Sequence, residues 1–337
     1  MTQNLFVVAP IGLLPAIIFL VTLLYMDSYK LVSMRAIIGV IGVGGLLVIL
    51  TYYISIAVLD STQIDWISYT RYVAPPIEEI LKASVIVVLL RTNRIGFLVD
   101  AAIFGFAVGT GFALVENLYY LQTLEHANIG VWIVRGFGTA IMHGGATAIF
   151  GILTQAITER NIGIHPLMYL PGLALAIALH SLYNHFLLTP IQSTVLILLV
   201  LPPVLYVIYL RSSQAMHDWL QLDFDADADL LEQINSSEFA ESSIGRYLGE
   251  LTKKFKGPVV VDMLCYLRLY TELALRAKGV LMMRENGFDE PVGERTRAKF
   301  AEMRFLETSI GKTGRMAMRP FLHMDRKDLW QLYVLEK

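Results

Sequence analysis

Through its first 210 residues the chain is written in long apolar runs, each separated from the next by a few polar positions. A run of about 20 residues is what a helix rising 1.5 Å per residue needs to cross a hydrocarbon layer of about 30 Å. Seven runs meet that length: residues 5–26, 36–58, 67–90, 95–122, 131–157, 166–188 and 192–210. Beyond residue 210 the pattern changes to the helical spacing of amphipathic soluble segments. Ile244, Leu248, Leu251 and Phe255 recur on one face, as do Val259, Met263, Tyr266, Tyr270 and Leu273, with Arg268, Glu272 and Arg276 between them. Further helices are predicted over 294–309 and 325–336. The expected fold is all-α: a polytopic membrane helix bundle of about seven transmembrane helices over 1–210, then a soluble helical domain over 211–337.

Composition and charge sharpen this picture. Hydrophobic residues make up 55% of the chain and charged residues 17%, with a mean hydropathy of +0.56, which places it among membrane proteins. Residues 1–210 carry 8 Lys/Arg and 9 Asp/Glu against 19 and 20 in the remainder, so the two halves are built for different solvents. Met1 to Asn4 supply no basic stretch and no small-residue cleavage site comes after them, so run one is expected to be retained rather than removed as a signal peptide. Lys30, Arg35, Arg91, Arg94, Arg160 and Arg211 fall on one side of the predicted spans, and only Arg71 and Arg135 on the other. The positive-inside rule then predicts a multi-pass protein of the cell membrane with its N-terminus outside and residues 211–337 in the cytoplasm. A net charge of −2 gives no ground for a nucleic-acid partner, and the expected surroundings are the lipid bilayer. The single cysteine, Cys265, excludes an intrachain disulfide and a cysteine-built zinc site, and is read as a small buried residue of a soluble helix. The glycines of 39–45 and the pair Gly105 and Gly109 are read as sites of close helix packing.

The informative residues are the polar ones inside the runs. Glu78 and Glu79 lie about 17 Å along the third run and His143 about 18 Å along the fifth. His180 is about 12 Å, and Glu116 about 9 Å, from the outer ends of the sixth and fourth. Groups from four helices can therefore share one layer in the middle to outer half of the bilayer. A charged residue at that depth costs roughly 2.5–3.5 kcal/mol, so such residues face a protein interior or a water-filled cavity and have partners. Glu78 and Lys82, four apart on one face, are expected to form an ion pair. Glu79 points about 100° away and needs another partner. His180 and Asn184 share one face of their helix.

In order along the chain, E78-E-I-L-K82, F112-A-L-V-E-N117, M142-H-G-G-A-T147 and H180-S-L-Y-N184 resemble the four motifs of the PrsW family of membrane proteases. That family is similar in turn to the CAAX prenyl endopeptidases and the bacterial self-immunity proteins. The likeness covers about residues 70–190 and does not extend to the C-terminal domain. It implies an intramembrane endopeptidase acting on a single-pass membrane protein, such as an anti-sigma factor in a signalling cascade. Under it, Glu78 is assigned as the base that activates water, His143 as the residue that positions that water, and His180 with Asn184 as the groups that polarise the scissile carbonyl. Glu79 and Lys82 hold the water and Glu78, while Glu116 and Asn117 orient a histidine or line the cavity. No cofactor is the preferred reading, but Glu78, His143 and His180 also make a zinc-type set with an open position for water.

Several other chemistries are excluded by inspection. The chain contains no HExxH, no GxSG, no GxGD and no Tyr-Asp pair. His126, His165 and His185 read as interfacial or helix-end residues. D223-F-D-A-D-A-D229 lacks the glycine and the closing glutamate of an EF-hand and reads as a solvated helix start; S309-I-G-K-T313 lacks the first glycine of a P-loop and reads as a turn. Residues 211–337 are expected to bind a regulatory partner or a second copy of the chain. The competing readings are a non-enzymatic receptor or transporter that uses the polar layer for a ligand or protons, and a zinc-dependent or CAAX-type processing protease.

Overall fold

The structure of the chain, a computed structural model, describes residues 5–124, 127–159, 165–288, 293–322, 330–332 and 335. His126, Arg160 and most of the helix expected over 325–336 lie outside the described residues. Among those residues all regular structure is helical. The chain divides into two compact units, Met1–Ser212 and Ser213–Lys337.

The first unit contains α1 (Leu5–Met26), α2 (Met34–Thr62), α3 (Ala74–Arg91), α4 (Leu98–Thr123), α5 (Ala140–Thr158), α6 (Leu170–Asn184) and the first part of α7 (Pro190–Asn235). Six helical stretches among the described residues are long and apolar enough to cross a membrane. The seventh run is α3, which carries Glu78, Glu79, Lys82 and Arg91 within its 18 residues and so falls short on apolarity alone. Pro75 and Pro76 sit in its first turn, where a missing N–H costs nothing. Both α3 and α5 are entered through a π-helical turn, Tyr69–Val73 and Val134–Thr139 respectively.

α4 is the centre of this unit. From Val99 to Ala113 every residue is buried, so the helix is apolar on all sides and its neighbours must cover it completely. Its glycines allow that approach. A Cβ on Gly109 would run into the carbonyl of His143 and the Cα of Gly144; one on Gly105 would meet Thr147 and Ala148. On the opposite side Gly111 lies against the Ile41 carbonyl and Gly44 against Val108, both contacts between α2 and α4. Gly39 and Gly42, by contrast, have open space. Small residues that let backbones touch are how helices associate where no hydrophobic force separates them from lipid.

In the second unit two expectations are corrected. α7 does not stop near residue 210 but runs on to Asn235, so Asp223–Asp229 lies inside a helix rather than at its start. A helix needs its backbone bonds, not apolarity, to continue past the membrane-like segment. Cys265 is exposed, because α9 (Gly257–Glu285) turns Met263, Tyr266, Leu267 and Tyr270 inward and leaves position 265 on the other face. At Ser309–Thr313 the expected turn is found: α10 (Glu294–Met318) is two helical pieces joined across a kink at Gly311, whose φ of 64° suits glycine. α8 (Ser243–Leu251), N-capped by Ser242, packs Ile244, Leu248 and Leu251 into the same core as Met263, Tyr266, Phe300 and Leu306. Lys278 is buried there, with its Nζ 2.6 Å from Asp227 Oδ2.

The contact at Gly109 leads to a prediction. Gly109→Ala pushes α4 off α5 beneath His143 and is expected to cost about 1–3 kcal/mol, the range for overpacking. Gly39→Ala should leave stability unchanged. Thermal unfolding of the two variants in detergent checks both outcomes.

Candidate active site

Four helices of the first unit bring their polar residues to one place. α3 supplies Glu78, Glu79 and Lys82 from the turns after its proline start. α4 supplies Phe112, Glu116 and Asn117, α5 supplies His143, and α6 supplies His180. Glu79, Lys82, His143 and His180 are all at or below 2% exposure, so each must find its partners within the protein.

Lys82 sits at the middle of the cluster. Its Nζ donates to Glu79 Oε1 at 2.6 Å and to His143 Nδ1 at 2.9 Å, and lies 4.7 Å from the centre of the Phe112 ring. The ion pair expected between Glu78 and Lys82 is therefore corrected: Lys82 pairs with Glu79, three residues away. Both spacings face each other on a helix, and the fully buried carboxylate has the greater need of a cation. Glu79 Oε1 also lies 2.8 Å from His180 Nδ1. A carboxylate only accepts, so that ring nitrogen carries the proton and Nε2 faces the other way. It faces Glu78, whose Oε2 is 3.9 Å off.

His143 is arranged in the same manner. An ammonium has no lone pair, so Nδ1 accepts from Lys82 and the proton belongs on Nε2, which lies 3.3 Å from Glu116 Oε2. Glu78 Oε2 is 4.0 Å from Nδ1. The two imidazole rings stand at 90° with centres 4.8 Å apart. Glu78 Oε2 is buried between them and has no hydrogen-bond partner among the described residues.

Two residues of the expected set are engaged elsewhere. Asn117 donates from Nδ2 to the Gly12 carbonyl at 2.7 Å and accepts at Oδ1 from Arg135 Nε at 2.9 Å. Asn184 donates from Nδ2 to the Thr70 carbonyl at 2.9 Å, so this amide holds backbone rather than joining His180 in the cluster. Three contributors carry no signal that singles them out in the sequence as site residues. Arg135, which reads there only as a topology signal, lies 3.1 Å from Glu116 Oε2 and stacks 3.7 Å from the Tyr120 ring centre. Its position in an apolar run, eight residues before His143, is the available sign. Phe112 opens the second of the four motifs, tilted 5.2 Å from the His143 ring, and Ser181 beside His180 donates to the Arg71 carbonyl at 2.6 Å.

The donors fit a metal ion. Ligand atoms of Glu78, His143 and His180 lie within 4.8 Å of one another. Behind each histidine stands a carboxylate, Glu116 for His143 and Glu79 for His180, the support that orients metal-bound imidazoles. The unbonded Glu78 oxygen is the third donor. The same space also suits one water molecule, whose hydrogen-bond partners lie about 2.8 Å from it.

A family model described as PrsW family intramembrane metalloprotease matches residues 28–210. No curated protein and no solved structure matches the chain. The family match takes in more than half of the chain and all four helices that build the buried polar cluster, and the chain belongs to the PrsW family of intramembrane proteases.

Proposed function

We propose that the buried layer hydrolyses a peptide bond of a single-pass membrane protein with Glu78 as the base. The observation that carries this reading is the unbonded, buried Glu78 Oε2 between two histidines. Glu79 already accepts from Lys82 and His180, and Glu116 Oε2, which also lacks a hydrogen bond, lies 3.1 Å from the guanidinium of Arg135, whereas Glu78 Oε2 faces only the two histidines. A water held by Glu78 Oε2 beside the His143 ring loses a proton to Glu78 as its oxygen attacks the scissile carbonyl. His180, protonated on both nitrogens and held at Nδ1 by Glu79, presents Nε2–H to the developing oxyanion. Glu78 then returns its proton to the leaving amine. Lys82 fixes Glu79 and His143, and the Phe112 ring packs against both Lys82 and His143.

The carboxylate behind each histidine favours a second reading, with a divalent metal such as zinc held by Glu78, His143 and His180. Bound there, the ion would acidify a water and polarise the carbonyl. Against it stands the ammonium of Lys82, 2.9 Å from the His143 nitrogen that would be a ligand. On either reading the depth of the layer suits cleavage near the outer face, in regulated proteolysis of an anti-sigma-like substrate. The N-terminus then lies outside, with residues 213–337 a cytoplasmic module open to a regulatory partner or a second copy.

Glu78→Gln is expected to remove cleavage, a loss of at least about 10²-fold, while the protein still inserts. Comparing membrane-protein fragments in cells with wild type and variant at equal expression checks this, and identical fragments would transfer the reading to a transporter or receptor. Elemental analysis separates the two mechanisms: one zinc per chain, lost in His143→Ala, establishes the metal, and none establishes the glutamate base. Lys82→Met leaves the Glu79 carboxylate without its cation and is expected to cost about 3–5 kcal/mol, read as a fall in the unfolding temperature in detergent.

A further inference from the structure

The helix that carries Glu78 and Glu79 begins on the π-helical turn Tyr69–Val73. Such a turn holds one more residue than an α-helical turn and is frequent at functional sites. Four consecutive residues of this one are each held by a side chain from another helix. The Tyr69 hydroxyl bonds Ser55 Oγ of α2. The Thr70 carbonyl accepts from Asn184 Nδ2 at 2.9 Å, and the Arg71 carbonyl from Ser181 Oγ at 2.6 Å. The Tyr72 ring meets the His185 ring edge-on, with centres 4.8 Å apart. The last three holders come from residues 181–185 at the end of α6, directly after His180.

We propose that Ser181 and Asn184 are positioning residues that clamp this turn and so set the register of Glu78 and Glu79 against His180. The inference rests on the hydrolytic reading for its effect on rate, though not for its effect on structure. Each residue gained or lost in a helix rotates the remainder of that helix by about 100°. A relaxation of the π turn into an α-helical one would therefore carry Glu78 off the two histidines. The two carbonyl bonds are part-buried, so the side-chain donors of Ser181 and Asn184 are the groups that keep this turn in place. His180 contacts Glu79 at 2.8 Å, and two of the next four residues fix the backbone from which Glu79 is aimed. The segment H180-S-L-Y-N184 is thus both a reacting group and the jig for the opposite helix.

The role differs from a direct one in what Ser181 does. Clamping predicts that Ser181→Ala and Asn184→Ala each lower kcat by about tenfold with KM unchanged. It also predicts that the double variant falls by less than the product, since both act on one turn. Ser181→Thr, which keeps the hydroxyl, should restore the wild-type rate and guards against a simple folding defect. Amide hydrogen exchange over residues 69–79, measured in the Glu78→Gln background, should quicken in Ser181→Ala and in Asn184→Ala and reads the clamp without any activity. Faster exchange with no cleavage by wild-type protein would uphold the clamp and sink the hydrolytic reading. Wild-type kcat in Ser181→Ala beside a slow Asn184→Ala would place Asn184 directly on the substrate and overturn the clamp, as would unchanged exchange in both variants.

Discussion

Neutralising charge where no water can do so is the constraint on which this structure turns. A lone ammonium or carboxylate at that depth is expensive, and a partnered one is tolerable only if its remaining bonds are made. The contacts form a chain of alternating character: Arg135 to Glu116, Glu116 to His143, His143 to Lys82, Lys82 to Glu79, Glu79 to His180. Each carboxylate in it stands between two donors. Glu78 flanks the chain, touching both histidines only at the long distances of 3.9 and 4.0 Å. Glu116 Oε2 likewise makes no hydrogen bond but has the Arg135 guanidinium 3.1 Å away, so Glu78 is the carboxylate set apart from the cations of the chain.

The packing serves the same end. Contacts of 2.6–2.9 Å between side chains of the cluster need backbones held to a fraction of an ångström. Gly105 and Gly109 supply this by letting α4 rest on the α5 backbone beside His143. Loss of that contact moves a ring whose two nitrogens are both committed. The π-helical turns before α3 and α5 answer a related need. Each shifts the phase of the helix after it, on which Glu78 and His143 stand.

The membrane helices are readable in the sequence, because hydropathy over 20 residues depends on nothing but composition. Glu78, Glu79, Glu116, His143 and His180 stand out there too as residues needing partners, since their cost at that depth comes from position alone. The pairing itself is not readable. Glu78 and Glu79 are both within reach of Lys82 along the helix, and the choice is made by His143 and His180, which come from 61 and 101 residues away. Spacing alone puts Asn184 in the site, but its true partner is a carbonyl in a π turn, and the 3.6-residue period carries no trace of such a turn. The continuation of α7 past residue 210 is hidden because the hydropathy signal ends where the helix does not. Cys265 is read as buried from its residue type, and the structure places it outside because the phase set by Met263, Tyr266 and Tyr270 outweighs that preference.

The two mechanisms open to this site differ less than their names suggest. A divalent cation asks for a lone pair from each of Glu78, His143 and His180, whose ligand atoms lie within 4.8 Å of one another, whereas a water needs only Glu78 as acceptor. What separates them is Lys82. Its ammonium already meets the lone pair of His143 and the charge of Glu79, the two tasks a metal ion would otherwise perform in ordering the histidines and offsetting the carboxylates. A fixed cation of this kind cannot bind water as a ligand, so it leaves the activation of water to a carboxylate. Glu78 has a buried oxygen without a hydrogen bond, and unlike that of Glu116 it faces histidines rather than an arginine. The position of Lys82 is therefore the physical reason to place the base on Glu78 rather than on a metal-bound water.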